Sequence, residues 1–485
     1  MRNARTSRGA GPAGPVQALC AALVAVISLK PVNDPDLWWH LKTGDLIVTS
    51  GIPKRDTFSW TVPGRRWIAH EWLSQVLLWA VESVLGTAGL VVGAAGFVMV
   101  AFWIASRAVP GHATAGAAIA VFGALVAAPV TGARPQMVNL IGLACVMAMV
   151  ERIRSRTRRP QSAWVLIPLM VLWANMHSGF VLGLVVIGVY LLGEVVDGRF
   201  DTGDSHLPSP LLTRPFVIVI LASALGTTLN PNGIALWRYP FDTLRSNSMQ
   251  TLIQEWQSPD FHQPMFWPLI AMAIAVALVL AKTSRRIELA HVLLLGASFV
   301  AALQSMRHVA LFGIVVTALL SPHVDDLVRV RFTALIEQIR SVRPVIVKAL
   351  WVVVGVTALT PMLAQLSSNE RNTDATLPVA ATQHILDTPD LIDGDGWAEY
   401  GWGGWLIYND IPVFIDGRAD VYGDEFMFEW ANTIHLTPDW DRPLETFGVD
   451  WILIQEDNPL AVVLDGDSRW VRTWSDEQAV IFEAN

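Results

Sequence analysis

Apolar runs long enough to cross a bilayer dominate this chain. They lie near residues 15–33, 87–106, 113–132, 135–151, 161–177, 179–196, 214–230, 264–281, 287–305, 307–322 and 345–367. A spanning helix takes roughly 17 to 25 mostly apolar residues, so the pattern predicts about eleven transmembrane helices. Composition agrees: 53% of the 485 residues are hydrophobic, 16% are charged, and the mean hydropathy is +0.43. A water-soluble enzyme of that composition is excluded, and the lipid bilayer is the solvent this chain expects. Cys20 and Cys145 both fall inside apolar runs, so neither a disulfide framework nor a Cys-x-x-Cys metal site is available. Residues 1–14 read as a disordered basic cytoplasmic arm. The apolar stretch after it lacks a small-x-small cleavage site and reads as a retained signal anchor.

Charge divides the chain in two. Residues 368–485 hold 24 Asp and Glu against 5 Lys and Arg, a net −19, whereas the preceding part has 18 acids and 29 bases and carries +11. The acidic part also loses the long apolar runs and gains turn signals such as DGDG and NDIP. It reads as an extracytoplasmic α/β domain attached to an α-helical polytopic membrane domain, residues 15–367. Within its segment 396–426, GWLIY and PVFID alternate like two strands joined by NDIP. Arg and Lys prefer the cytoplasmic side. The N-terminal arm, RIRSRTRR (152–159), KTSRR (282–286) and Arg329–Lys348 all fall on that side only if residues 72–86, WLSQVLLWAVESVLG, do not cross. At fifteen residues with Glu82 inside, that stretch reads as an interfacial or re-entrant helix.

The conspicuous polar motifs then collect on the outer face of the cell membrane, with the N-terminus inside. A first outer loop with its re-entrant helix, residues 34–86, opens with NDPDLWWHLKTGDLI, in which Asp34 followed by Pro35 suits a helix N-cap. Its tryptophans, Trp38, Trp39, Trp67 and Trp72, suit an aromatic belt. Further on, GRRWIAHEW places Arg65, Arg66, His70 and Glu71 just before the re-entrant helix. Such a concentration of acid, base and cation at a membrane edge is costly and marks a functional site. ANMHSG puts Asn175 and His177 at a break between two spans, with His177 a candidate substrate contact or else a satisfied polar residue. IQEW either supplies Glu255 to the same cleft or, more simply, makes it a solvated loop acid. There is no His-x-x-x-His, no phosphate-binding glycine loop and no Gly-x-Ser-x-Gly, so zinc-protease, nucleotide-hydrolysing and serine-esterase chemistry lack their marks. No basic face with interleaved aromatics points to nucleic acid.

A single first span, a long outer loop opening with an acidic pair, a peripheral helix, and an x-Glu-Trp-Leu step into a short apolar helix ending Val-Leu-Gly resemble the GT-C superfamily of integral-membrane glycosyltransferases. The resemblance implies a sugar donor linked to polyprenyl phosphate, an extracytoplasmic acceptor (glycan, lipid or protein) and inversion at the anomeric carbon. Carried onto this chain, the first-loop acid is Asp36 or Asp34, with Asp36 preferred because it lies one turn before the histidine of WWHL; its role is to deprotonate or orient the acceptor hydroxyl. His70 and Glu71 match the loop's second polar step and would assist that base or hold a divalent cation, Mg²⁺ or Mn²⁺, with Asp36 and Glu71 as its carboxylate ligands. A lipid phosphate leaving group needs cations, a role that Arg134 in GARPQ and Arg307 with His308 in QSMRHV fit, as an alternative to snorkelling arginines. Trp397-Ala-Glu399-Tyr400-Gly401 is similar to the WWDYG motif with which oligosaccharyltransferases bind acceptor, which makes Glu399 and Tyr400 candidate substrate contacts. Asp416, Arg418 and Asp420 read either as acceptor ligands or as a buried salt-bridged turn.

Together these point to a membrane glycosyltransferase. The alternative is a non-enzymatic membrane protein that binds or moves a lipid or polysaccharide. Against a transporter, the chain shows neither paired broken helices nor an internal repeat with charges at mid-membrane.

Overall fold

The computed structural model describes residues 13–200, 208–331 and 375–485. The expected span at 345–367 and most of the basic segment 329–348 lie outside them. Among the described residues, five helices are long and apolar enough to cross a membrane, and a bent pair makes a sixth. The main helices are α1 (Ala13–Ser28), α2 (Leu37–Ser50), α3 (Trp72–Ala105), α4 (Ala113–Ala127), α5 (Val138–Arg154), α6 (Leu166–Met176), α7 (Val181–Phe200), α8 (Arg214–Gly226), α9 (Trp267–Lys282), α10 (Leu289–Gln304), α11 (Val309–Leu319) and α12 (Ser321–Arg331). Helices α1, α8 and α10 are shorter than the usual span, and α11 turns by 52° into α12. Lipid offers no hydrogen-bond partners, so helix is the state in which these apolar segments satisfy their own backbone.

Position in the bundle follows composition. Helix α5 is enclosed, with Val146, Met147 and Val150 fully buried, whereas α9 turns Ile270, Ile274 and Leu278 outward at four-residue spacing and buries Leu269, Met272 and Val276. An exposed apolar stripe of that kind suits lipid, not water.

Helix α3 is divided at Gly86, which takes φ 63° and ψ −170°. A straight 34-residue helix would run about 51 Å against a hydrocarbon core of about 30 Å. Its start lies beside the site described below: the Trp72 indole donates to Asn175 Oδ1 at 3.0 Å. Its end lies at the opposite face, where Arg107 donates to Gln17 at 2.7 Å near the start of α1. The helix therefore joins the two faces once, with the break where the sequence places the start of a span. The opposite face also gathers the basic clusters. Arg152 donates to the Arg107 carbonyl at 3.2 Å, and Arg154 pairs with Glu151, Glu194 and Glu288.

The C-terminal domain is α/β, built on a four-stranded sheet of order β1-β2-β4-β3, with β1 Gly396–Ala398, β2 Trp451–Gln455, β3 Trp470–Ser475 and β4 Ala479–Ala484. Strands β1 and β2 are parallel; the other pairs are antiparallel. The two expected strands at 404–415 are not there. Gly403–Tyr408 is a helix, because Trp405 and Tyr408, three residues apart, both pack edge-on against Trp38 of α2, and a five-residue stretch cannot distinguish that period from alternation. The PVFID stretch is extended and pairs with the first loop instead: Trp60 N–H donates to Val413 O at 3.1 Å, and Val413 N–H to Phe58 O at 3.1 Å.

A buried ion cluster locks loop and domain together. The Arg418 guanidinium lies 2.6 Å from Asp56 of the loop, donates twice to Asp416, and stacks between Phe58 and Trp67; Tyr422 donates to Asp416 at 2.6 Å. All three charged side chains are essentially fully buried. The turn alternative for Asp416 and Arg418 is therefore the one the structure shows. Trp38, Trp39 and Trp67 are core residues of this interface and do not form a belt, because the domain covers the loop that would otherwise meet the headgroups. Arg418→Leu would leave two buried carboxylates unpaired, a loss of about 3–5 kcal/mol. It should lower the thermal unfolding midpoint in detergent by several degrees, and an unchanged midpoint would show that the cluster does not hold the domain.

Candidate active site

The site lies in the seam between the first loop and the C-terminal domain. Asp34 caps the turn into α2, accepting from Asp36 N–H at 3.0 Å, and its other oxygen pairs with Arg134. Arg134 also pairs with Glu255, which in turn lies 3.2 Å from Arg307 Nε. Four charges from four separated stretches thus alternate in sign along one row. Glu255, which reads as a loop acid in the sequence, is the shared partner of both arginines. The terminal amino groups of Arg307 make no hydrogen bond among the described residues, and its guanidinium lies over the Trp256 ring.

Among the described residues, Asp36 stands beside this row without an ion pair of its own. Its Oδ1 accepts from the Trp39 indole at 3.1 Å and lies against the backbone of Gly417, where any Cβ would come within 1.7 Å of it. Only glycine permits that approach, so the C-terminal domain comes down directly on Asp36. Burial, and then the negative charge of Asp34, push Asp36 up to about 7. Burial acts upward on Asp34 too, but the charge and hydrogen bond of Arg134 outweigh it and the net direction is down.

A second group adjoins the first. Glu71 Oε1 lies 3.4 Å from His70 Nε2 and 3.2 Å from His177 Nε2, and Glu71 Oε2 is 3.7 Å from His40 Nδ1. Burial would raise Glu71, but the histidines around it, His70 foremost, bring it well below the carboxylate range. Burial would lower His70, but Glu71 raises it on balance. His40 and His177 are held neutral by burial, at about 4 and about 3. The His70 ring stacks on Tyr239 with centroids 4.1 Å apart. Tyr239 faces Asp420 of the C-terminal domain, which burial raises to about 6 despite His70 and Arg418. Among the described residues, His70, Glu71 and His177 are the group of three whose ligand atoms converge, within 4.8 Å of one another, as a metal site would require. Asp36 and Glu71, the carboxylates the sequence suggests as ligands, do not join in one such group.

The remaining sequence candidates divide. Tyr400 faces the seam, where Asp36, Asp416 and Asp420 reinforce the effect of burial in keeping its hydroxyl protonated. The Glu399 carboxylate accepts from Gln455 and Asn458 within its own domain, and shares with Asp34 the lining of a cavity of about 220 Å³. Trp397 of the same motif is fully buried and stacked on Trp430, so it is not presented to a ligand. The Nδ1 of His308 is buried without a partner among the described residues, and its ring lies edge-on to Trp256. Tyr239, which completes the site, carries no motif, and His40, the histidine of WWHL, takes its place beside Glu71 from packing.

Comparison with solved structures places this architecture. ArnT from Cupriavidus metallidurans bound to undecaprenyl phosphate superposes with a TM-score of 0.54 at 12% identity, over 96% of this chain and 97% of that one. The archaeal oligosaccharyltransferase AglB from Archaeoglobus fulgidus, in complex with an inhibitory peptide and a dolichol-phosphate, gives 0.55 at 10% identity, over 91% and 69%. No protein-family profile matches the sequence, and no curated protein matches it. This chain shares the fold of these two structures, and five of its described helices are long and apolar enough to cross a membrane.

The raised Asp36 makes a signed prediction. A carboxyl whose folded value lies above its unfolded value of about 3.9 favours folding below that pH, and the advantage is lost as pH rises through about 7. Asp36→Asn should therefore unfold no later than wild type at pH 4 and gain stability over it progressively towards pH 8. Melting curves across that range test this, and a pH-independent difference would place Asp36 elsewhere than beside Asp34.

Proposed function

We propose that this chain is a glycosyltransferase that moves a sugar from a polyprenyl-phosphate-linked donor to a hydroxyl acceptor, with Asp36 as the general base. The observation that carries the reading is the paired environment of the two first-loop carboxylates: Asp34 is fixed and ionised by Arg134, while Asp36, two residues on, is held near neutrality. A base works best when its value lies close to the working pH. The fold shared with proteins solved with undecaprenyl phosphate and dolichol-phosphate supports the lipid-linked donor.

In this reading the acceptor hydroxyl approaches the seam under Gly417 and gives its proton to Asp36 as its oxygen attacks the anomeric carbon. The bond to the phosphate oxygen breaks, and the negative charge that develops there meets the open guanidinium edge of Arg307. Arg134, engaged on both sides, positions Asp34 and Glu255. Tyr400 and Glu399 border the acceptor side, and His70, Glu71 and His177 the other. The face that carries the site is extracytoplasmic, the opposite face with its basic clusters is cytoplasmic, and the membrane is the plasma membrane.

Transfer of radiolabelled sugar from polyprenyl-phosphate donors by membranes at matched expression tests the proposal. Asp36→Asn should lower the rate by about 10²–10⁴, the usual contribution of a positioned base, and Arg307→Gln should weaken donor use. Undiminished transfer by Asp36→Asn would remove Asp36 from the chemistry. Donor binding without transfer by wild type, unaffected by Asp36→Asn, would favour a lipid-binding protein.

A further inference from the structure

Three contacts around His177 decide the chemistry of the histidine and glutamate group. The Trp173 indole N–H can only donate, and it lies 2.8 Å from Asn139 Oδ1. That contact assigns the Asn139 amide, so its amino group is the one facing His177 Nδ1 at 3.3 Å. The backbone N–H of Gly179 donates to the same Nδ1 at 2.8 Å. Two donors therefore aim at Nδ1, which must carry the lone pair, and the neutral ring holds its proton on Nε2, directed at Glu71 Oε1. Turning the ring over would place a C–H bond against the Gly179 N–H.

Metal ligation at Nε2 requires the opposite tautomer. A ligating histidine gives its lone pair to the ion and donates its other N–H to an acceptor. Here the other nitrogen meets only donors. With His177 removed from the ligand set, one histidine and one carboxylate remain, short of the three protein ligands of a catalytic zinc site.

His70 shows the complementary pattern. Its Nδ1 faces the Ile68 carbonyl at 3.3 Å and its Nε2 faces Glu71 Oε1 at 3.4 Å, both of which only accept. A ring that donates from both nitrogens satisfies both. The other ionisable groups around it are His40, His177, Asp420 and Tyr239, whose aromatic face suits an imidazolium.

We infer that His70, Glu71 and His177 form a closed hydrogen-bond network, one imidazolium paired with one carboxylate, and not a divalent-metal centre. The positive charge that an ion would bring to this side of the seam is carried by the His70 ring. This inference rests on the proposed function only in placing the network beside the transfer site. It makes no use of turnover.

The test uses the purified full-length protein in detergent. The chain is equilibrated by dialysis with Zn²⁺ and, separately, Mn²⁺, and bound metal is counted for wild type and Glu71→Gln. In parallel, ¹⁵N-histidine labelling reads the protonation of each ring nitrogen by NMR, with His177→Gln and His70→Gln assigning the signals. Wild type should retain no more of either metal than Glu71→Gln. His177 should be bare at Nδ1 and protonated at Nε2, and His70 protonated at both. One equivalent of metal in wild type that Glu71→Gln loses, or a His177 protonated at Nδ1, would overturn the inference. Because neither readout involves sugar transfer, failure of the transferase reading and failure of this one are separately visible.

Discussion

The rest of the structure depends on the Arg418 guanidinium, buried between Asp56 of the first loop and Asp416 of the C-terminal domain. A charge this deep is tolerated only when both partners are present, so it adds little net stability and much specificity of placement. Its consequence is register. With the loop pinned at Asp56 and its backbone paired to Val413, α2 can lie only where Asp36 meets Gly417, and the return of the loop brings His70 towards Asp420. Two parts of opposite charge and different solvent thus share one core, and the site is the polar edge of that core.

The electrostatics of the seam follow from counting partners. Asp34, Arg134, Glu255 and Arg307 alternate, so the two inner charges are each flanked by opposites and the two ends each have one partner. Asp36 is the carboxylate beside the row, and burial and the charge of Asp34 push it towards neutrality. Neighbouring acids driven in opposite directions by their surroundings are a usual arrangement for proton-transfer chemistry. Arg307 is the complementary remainder, a guanidinium that among the described residues has one carboxylate contact and open terminal donors. In the proposed reading Asp36 is the proton acceptor of the seam and Arg307 its anion receptor.

Much of this was legible in the sequence, for reasons that differ by element. Apolar length marked the membrane part and the start of a span after Gly86, because a bilayer constrains length more strictly than a globular core does. The charge contrast marked the acidic C-terminal part, and the clustering of Asp34, Asp36, His70 and Glu71 in one loop marked the candidate site. What stayed hidden was long-range pairing. Nothing in IQEW shows that Glu255 lies between two arginines, and nothing around Tyr239 or His40 shows what they face. GWLIY was misread as a strand because its partner, Trp38, is more than 350 residues away.

The most direct measurement of the central claim is a cryo-EM structure of the full-length protein with polyprenyl phosphate. Phosphate density within hydrogen-bonding distance of the Arg307 guanidinium, on the Asp36 side of the seam and with the lipid tail leaving towards the bilayer, is the expected result. A phosphate held at the opposite face among Arg107, Arg152 and Arg154, or a seam with no density at saturating lipid, would contradict it.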